Sequence, residues 1–249
     1  MDKIKQFEIE RQDRIKKNGD DTKLKFFADQ WIKESMMKNY VYNFSWLGRP
    51  IIQSPQDIIA LQEIIWDVKP DMIIETGIAH GGSLIFSASM LTLLEICGEI
   101  NNGQVLGIDI DIREHNKKAI NQHPMCKKIT MFQGSSLDKK IIDKVHDFAR
   151  KGKKILVCLD SNHTHEHVLN ELKFYAPLVS IGSYCIVFDT IVEDMPQGSF
   201  PNRPWDKGNN PKTALKEYIK THPEFEIDNS INDKLLITSA PDGYLKRIT

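Results

Sequence analysis

The chain has 249 residues, of which 41% are hydrophobic and 27% charged, and its formal net charge at pH 7 is −1. This length suits one α/β domain with an appended segment, and the near-neutral charge gives no reason to expect nucleic acid or an anionic membrane as a partner. The apolar runs are too short to span a bilayer. The four cysteines are scattered and form no C-x-x-C pair, which argues against a zinc site or a disulfide framework. No apolar signal core follows the N-terminus, so we expect a cytoplasmic protein.

The first 45 residues differ from the rest of the chain. They are rich in charged and aromatic side chains, and Phe27, Trp31 and Met36 recur at nearly helical spacing. We expect residues 1–45 to form a helical segment that packs on the core or on a partner subunit, which would make the protein a homo-oligomer. Residues 46–249 are then the main domain.

Strands and helices alternate through the middle of the chain. Ser54 and Pro55 predict a helix N-terminus, and the helix should run to about Val68. The predicted strands after it are 72–75, 103–110, 129–133, 154–159 and 183–188, and the helices between them are 83–96, 114–122, 137–150 and 165–176. This alternation is typical of a parallel sheet with helices on both faces.

The end of the chain breaks the alternation. A helix over 213–221 is followed by two predicted strands, 225–228 and 235–239, with no helix between them, so we expect this pair to be antiparallel. The prediction is a Rossmann-like α/β fold with a mostly parallel seven-stranded sheet and a C-terminal antiparallel pair. By analogy of fold, this is the arrangement of class I methyltransferases.

The stretch after the first parallel strand predicts a ligand-binding turn. An apolar run ends in a carboxylate and glycines, and a new apolar run begins at once. Glycine lets the backbone approach a ligand, and the following helix offers unpaired N–H groups. The candidate residues in this turn are Glu75, Gly77, His80, Gly81 and Ser83.

The next two strand ends add candidates for a nucleoside. In doubly wound sheets the ligand sits beyond the carboxyl ends of the strands. A carboxylate such as Asp109, followed by Ile110, can grip both ribose hydroxyls, and the small Ser135 and Ser136 leave room for an adenine edge. A dinucleotide would require G-x-G-x-x-G, whereas the spacing here is E-x-G-x-x-x-G-G-S. The pattern favours S-adenosylmethionine.

Acidic residues follow the fourth and fifth strands. Asp160 and Asp189 should converge, because neighbouring parallel strands end at the same edge, and such oxygen ligands suit Mg²⁺ or another divalent cation. Glu193 and Asp194, a turn later, are candidates for the same metal site. The alternative is that one of the aspartates only caps the following helix.

Three histidines lie close together, at 163, 165 and 167. With Asp160 they could form a non-haem iron site, which would make the protein a hydroxylase. However, residues two apart on a helix do not share a face. We therefore interpret His163 as the functional residue above the pocket, and His165 and His167 as surface or supporting residues.

With these residues assembled, the chain resembles the cephalosporin hydroxylase/rhamnosyl O-methyltransferase family from about residue 46 onward. The resemblance lies in the blocks IETGIAHGGS (74–83), LDSNHTH (159–165), DTIVEDMP (189–196), RPWDKGNNP (203–211) and GYL (243–245). It implies a class I methyltransferase that uses S-adenosylmethionine, with Mg²⁺ in characterised relatives, and that acts on hydroxyls of a surface glycan or a secondary metabolite.

The site is also similar, more distantly, to that of catechol O-methyltransferase. That likeness implies ribose binding by Asp109, a small residue beside the adenine at Ser136, and metal binding by Asp160 and Asp189. Thr190 stands where that family has an asparagine ligand, so the third protein ligand stays open. His163 stands at the position of the catalytic lysine, and a histidine can act as a base near neutral pH.

These observations predict an S-adenosylmethionine- and Mg²⁺-dependent O-methyltransferase. The metal bound to Asp160 and Asp189 would lower the pKa of an acceptor hydroxyl, and His163 would remove its proton. A loop over 203–211, with Trp205, is expected to close over the acceptor. The alternatives are the iron-dependent hydroxylase and a non-catalytic protein that binds S-adenosylmethionine.

Overall fold

The computed structural model describes residues 2–249. Two helices come first, α1 (Lys3–Asp20) and α2 (Thr22–Met37), and the side chains of Asp2 and Asp21 accept hydrogen bonds from backbone N–H groups in their first turns. Gly19 of α1 packs so closely on Asp233 that a Cβ atom there would lie 2.2 Å from its carboxyl carbon. The N-terminal segment is thus helical and lies against the C-terminal part of the chain. Its separation from the main domain at residue 45 stays a prediction, as does the homo-oligomer.

A short hairpin follows, formed by β1 (Phe44–Trp46) and β2 (Arg49–Ile51). Its turn residues Leu47 and Gly48 both have positive φ, as tight hairpin turns require. Trp46 fixes the hairpin to the core, because its ring packs edge-on against Phe86 at 4.9 Å and its indole N–H donates to Ser89 Oγ at 3.0 Å. The sequence alone did not predict this hairpin.

The main sheet has seven strands: β3 (Met72–Thr76), β4 (Gln104–Asp109), β5 (Ile129–Gln133), β6 (Ile155–Leu159), β7 (Tyr184–Val187), β8 (Phe225–Ile227) and β9 (Tyr244–Arg247). They lie in the order β5-β4-β3-β6-β7-β9-β8, and β9 runs in the direction opposite to the other six strands. Every residue of β3, β6 and β7 is buried, which explains their continuous apolar sequences. The chain order reverses between β3 and β6, where a ligand crevice is expected.

Helices cover both faces of the sheet. The helices are α3 (Pro55–Val68), α4 (Gly82–Ile96), α5 (Glu114–Gln122), α6 (Lys139–Ala149), α7 (His165–Tyr175), α8 (Pro211–Tyr218) and α9 (Asn229–Leu235). One apolar core includes side chains of α3, α4 and α9, and the other includes side chains of α6, α7 and α8. The predicted fold class is confirmed.

The last strand lies in a different segment from the one predicted. Residues 235–239 are not a strand, because α9 occupies the preceding segment and Asp228 caps it by accepting from Ser230 N at 3.1 Å. Thr238 and Ser239 instead bind a buried carboxylate of α3, Asp57. The antiparallel partner of β7 and β8 is β9. Within residues 2–249, no helix has both the length and the apolar character needed to cross a membrane.

Candidate active site

The loop after β3 is fixed by its contacts with the neighbouring strand ends. Gly77 has φ +90° and donates through its backbone N–H to Ile108 O at 2.8 Å. A Cβ atom at Gly77 would lie 2.0 Å from the carbonyl oxygen of Asp160. Only glycine therefore fits between β3 and the end of β6. The predicted donor loop and the predicted metal ligand Asp160 are in direct contact through their backbones.

Glu75 lies beneath this loop. Its side chain is buried, and Ser83 Oγ at the start of α4 donates a hydrogen bond to Glu75 Oε1. Burial raises the pKa of Glu75 to about 8, and the Ser83 hydrogen bond only partly opposes the increase. Glu75 therefore holds a proton at neutral pH in this structure, and a cationic ligand nearby would favour its ionisation.

Asp109, the candidate ribose ligand, supports the loop through hydrogen bonds. Its Oδ2 accepts from the N–H groups of Ile78 at 2.8 Å and Ala79 at 3.2 Å, and its Oδ1 accepts from Asp111 N at 3.0 Å. Oδ1 keeps one free lone pair for a ribose hydroxyl. If Asp109 binds both ribose hydroxyls, as the sequence predicts, the same carboxylate must also keep its hydrogen bonds to the loop. Ile110 beside it is 72% exposed.

The serines after β5 connect to α7. Ser136 is buried, and its Oγ lies 3.1 Å from His167 Nε2, which is also 3.1 Å from Ser161 Oγ. Ser161 in turn donates to the buried Glu171 at 2.7 Å. His167 thus connects the predicted adenine side, where Ser135 also lies, with the segment that carries Asp160. This agrees with the supporting role expected for His167.

Asp160, His163 and Asp189 form a compact group. One ligand atom from each residue lies within 4.8 Å of the other two, and His163 Nε2 is 3.3 Å from Asp189 Oδ2. Burial raises the pKa of Asp160 well above its usual range, and the negative charge of Asp189 raises it further. A divalent cation would relieve this repulsion. Two carboxylates and an imidazole are a donor set that such a cation accepts.

The structure does not bring Glu193 or Asp194 into this group, contrary to the expectation from sequence. A short 3₁₀ turn, Thr190–Asp194, directs them elsewhere. Glu193 accepts hydrogen bonds from Gly208 N at 2.8 Å and from the Asn210 amide, while Asp194 pairs with Lys212 at 2.7 Å.

Thr190 also points away from the cluster. It is buried and donates to Pro241 O at 2.7 Å. Among residues 2–249, no group of histidines forms a metal site. His165 Nδ1 contacts Thr213 Oγ1 at 2.9 Å, on α8, and His167 contacts the serines described above. The geometry therefore disfavours the tri-histidine iron site.

The loop before α8 lies over His163. The ring of Trp205 packs edge-on against the His163 imidazole with centroids 4.6 Å apart, and the Arg203 guanidinium lies 5.2 Å from the Trp205 ring centre. The loop is fastened to the body of the protein through Glu193 and Asn210. It therefore occupies the position expected of a cover for the acceptor.

Sequence reasoning missed the segment from Arg49 to Gln53. Arg49 donates to the carbonyl oxygen of His80 at 2.6 Å and to Asn116 Oδ1 at 3.0 Å, and Asn116 donates to Ala79 O at 2.9 Å. These hydrogen bonds hold the backbone of the donor loop in place. Arg49 is 31 residues from His80 in the chain, so no local motif signals them. A small pocket lies between this segment, the donor loop and Asp160.

Comparisons with known proteins identify relatives of this chain. A family model described as Rhamnosyl O-methyltransferase/CmcI matches residues 38–248. The rhamnosyl O-methyltransferase of Mycobacterium tuberculosis (strain ATCC 25618/H37Rv) is 29% identical over 227 residues, which cover 87% of this chain and 85% of that protein. The rhamnosyl O-methyltransferase of Mycobacterium leprae (strain TN) is 29% identical over 215 residues, covering 84% and 86%.

Solved structures show the same fold. An apo structure of CmcI superposes with a TM-score of 0.59 at 20% identity, covering 84% of this chain and 77% of that one. A CmcI structure with Mg and SAM gives a TM-score of 0.57 at 19% identity, covering 84% and 78%. The chain thus belongs to the Rhamnosyl O-methyltransferase/CmcI family, as the resemblance in its sequence motifs implied.

Proposed function

We propose that this protein transfers the methyl group of S-adenosylmethionine to a sugar hydroxyl, on a glycan or a secondary metabolite, with the help of Mg²⁺ or another divalent cation. The observation that carries the proposal is the group formed by Asp160, His163 and Asp189 at the edge of the donor-loop cavity. Membership of the family supports transfer to oxygen, because its members are named as O-methyltransferases.

The donor fits the loop after β3. The N–H groups of the first turn of α4, from Gly82 to Leu84, have no intrahelical acceptor and suit the carboxylate of the methionine part. Asp109 faces the ribose and Ser136 the adenine in this proposal. A CmcI structure that contains Mg and SAM supports the same pair of cofactors.

Asp160 and Asp189 would hold the cation, with His163 in contact with Asp189. When bound, a divalent cation lowers the pKa of a coordinated hydroxyl and orients it. Asp160 belongs both to this cluster and to the wall of the donor cavity. A cation held there would bring the acceptor oxygen next to the donor, and alignment of the two substrates is then the main contribution of the fold.

His163 removes the proton of the acceptor hydroxyl. The new O–C bond forms as the C–S bond breaks, the electron pair of that bond stays on sulfur, and the products are a methyl ether and S-adenosylhomocysteine. Asp189, 3.3 Å from His163 Nε2, stabilises the imidazolium that forms. Trp205 packs on the imidazole and helps to exclude water from it.

The test is methyl transfer from labelled S-adenosylmethionine to a panel of deoxyhexose glycosides, with and without Mg²⁺. Labelled product should form with Mg²⁺ and disappear in excess EDTA. Full activity in EDTA would refute the role of the metal. Failure to bind S-adenosylhomocysteine in a calorimetric titration would refute the proposal as a whole.

A further inference from the structure

A glutamine outside the predicted donor motif lines the donor cavity. Gln53 lies between β2 and α3, in a segment that packs directly on the turn into α4, since a Cβ atom at Gly82 would be 2.2 Å from Pro50 O. The cavity is lined by this segment, by the donor loop and by Asp160. Gln53 is therefore positioned to contact whatever occupies the donor loop.

The side-chain oxygen of Gln53 lacks a partner. Gln53 is 4% exposed, and its Oε1 atom is buried without a hydrogen-bond donor among residues 2–249. Buried amide oxygens are almost always hydrogen-bonded, because an unpaired one loses the hydrogen bonds it makes to water. A ligand that brings an N–H or O–H group into this cavity would satisfy it.

The surroundings select a cationic donor group. Of the described residues that line the cavity, none is lysine or arginine, whereas the carboxyl group of Asp160 is among them. Behind Ser83 lies the carboxyl group of Glu75. An ammonium group offers three N–H donors and a positive charge, and so matches an amide oxygen next to a carboxylate.

We propose that Gln53 accepts, through Oε1, a hydrogen bond from the α-ammonium group in the methionine part of the methyl donor. This inference rests on the proposed function and deepens it by assigning a residue to one group of the donor. Gln53 then distinguishes the donor and its product from nucleosides that lack the amino group.

The fold keeps Gln53 in place. Helix α3 begins two residues later at Pro55, and Asp57 in its first turn is fully buried. Asp57 accepts from Ser239 N at 2.8 Å and from the Tyr244 hydroxyl at 2.7 Å. The segment that carries Gln53 is thus tied to the C-terminal part of the chain, which restricts its movement away from the cavity.

The experiment compares two ligands by calorimetry: S-adenosylhomocysteine and its desamino analogue, in which hydrogen replaces the α-ammonium group. The wild-type protein should bind the analogue about tenfold more weakly, as expected for one lost hydrogen bond to a charged group. Gln53→Met has a similar shape without the acceptor, and should bind both ligands with the weaker affinity. Gln53→Glu keeps an acceptor and should keep the preference for the ammonium group.

Gln56→Met is the matched control. The Oε1 atom of Gln56 is also buried without a partner, but Gln56 does not line the cavity. This variant should bind both ligands as the wild type does. The two ligands are compared within each variant. A general loss of stability would weaken both to the same extent and would not change the ratio of their affinities.

Three results would overturn the inference: equal binding of both ligands by the wild type, a preference unchanged in Gln53→Met, or a preference lost in Gln53→Glu as in Gln53→Met. The last result would mean that an acceptor oxygen at position 53 is not what recognises the ammonium group. Absence of S-adenosylhomocysteine binding by the wild type would instead refute the proposed function, and the inference with it.

Discussion

The Nε2 atom of His163 lies 3.3 Å from the Oδ2 atom of Asp189. The two residues follow different strands, β6 and β7, and the contact joins the candidate base to a candidate metal ligand. If His163 takes a proton during the reaction, the carboxylate of Asp189 stabilises the resulting charge. If His163 were only a metal ligand, its loss would weaken metal binding instead. The first three predictions concern this cluster and its cover.

His163→Gln should lower kcat by about 10² to 10⁴, the usual contribution of a general base. The dissociation constant of S-adenosylhomocysteine and the Mg²⁺ concentration for half-maximal activity should stay nearly constant. Steady-state kinetics at several Mg²⁺ concentrations measure kcat and the Mg²⁺ dependence, and a calorimetric titration measures the dissociation constant. His165→Gln is the control, because its ring faces Thr213 outside the cluster. A tenfold increase in the Mg²⁺ concentration for half-maximal activity, with kcat preserved, would contradict the role of His163 as a base.

Asp160→Asn and Asp189→Asn should each abolish methyl transfer, because an amide holds a divalent cation far less well than a carboxylate. Binding of S-adenosylhomocysteine should largely persist in both variants. Asp194→Asn is the matched comparison, since this carboxylate pairs with Lys212 rather than with the cluster. It should keep the wild-type metal affinity. A large loss of metal affinity in Asp194→Asn would mean that Asp194 belongs to the metal site, as the sequence predicted.

Trp205→Ala should lower kcat/KM for the acceptor by about ten- to a hundredfold, because the loop no longer excludes water from His163. Binding of S-adenosylhomocysteine should change by less than about twofold, as Trp205 does not line the donor cavity. Kinetics with varied acceptor and a parallel titration of the product separate the two effects. An equal loss of kcat/KM for the acceptor and of affinity for S-adenosylhomocysteine would indicate that the variant disturbs the fold.

Glu75→Gln should change how stability depends on pH. The pKa of Glu75 is about 8 in the folded protein against 4.5 for an ordinary glutamate. Between these values the folded state binds a proton that the unfolded state has released, so this group makes the protein less stable as the pH rises. Glutamine cannot ionise. The variant should therefore gain stability relative to the wild type from pH 5 to pH 8, by on the order of a few kcal/mol.

Urea denaturation at pH 5, 6.5 and 8 without ligand measures this difference. The dependence on pH is the informative result, because any change in the Ser83 hydrogen bond alters stability equally at every pH. Parallel curves for the two proteins would show that Glu75 is ionised in the folded state throughout this range.

Asp57→Ala should destabilise the protein by about 3 to 5 kcal/mol, because it removes the shared acceptor of several buried hydrogen bonds. The change leaves the hydroxyl groups of Thr238, Ser239 and Tyr244 without their acceptor. Thermal and urea denaturation measure the loss. Asp67→Ala on the same helix is the control, because Asp67 is exposed and should change stability by less than about 0.5 kcal/mol.

Local pattern was enough to predict most of the main sheet. The strand 129–133 and the helix 114–122 match the structure at both ends, because apolar periodicity and the residues at element ends are properties of neighbouring residues. The segment 235–239 was predicted wrongly for the opposite reason. Its apolar residues resemble a strand, but its conformation is set by Asp57, more than 180 residues earlier in the chain.

The family, the fold class and the acids at the strand ends can all be recognised from patterns in the sequence. Parallel strands end at one edge of the sheet, so Asp160 and Asp189, after neighbouring strands, had to lie close together, with Asp109 farther along the same edge. Tertiary structure alone decided which further side chains join them. It turned Glu193 and Asp194 away on a short 3₁₀ turn and brought Arg49 and Gln53 against the donor loop. Such contacts join residues far apart in sequence, and their geometry depends on how whole elements pack.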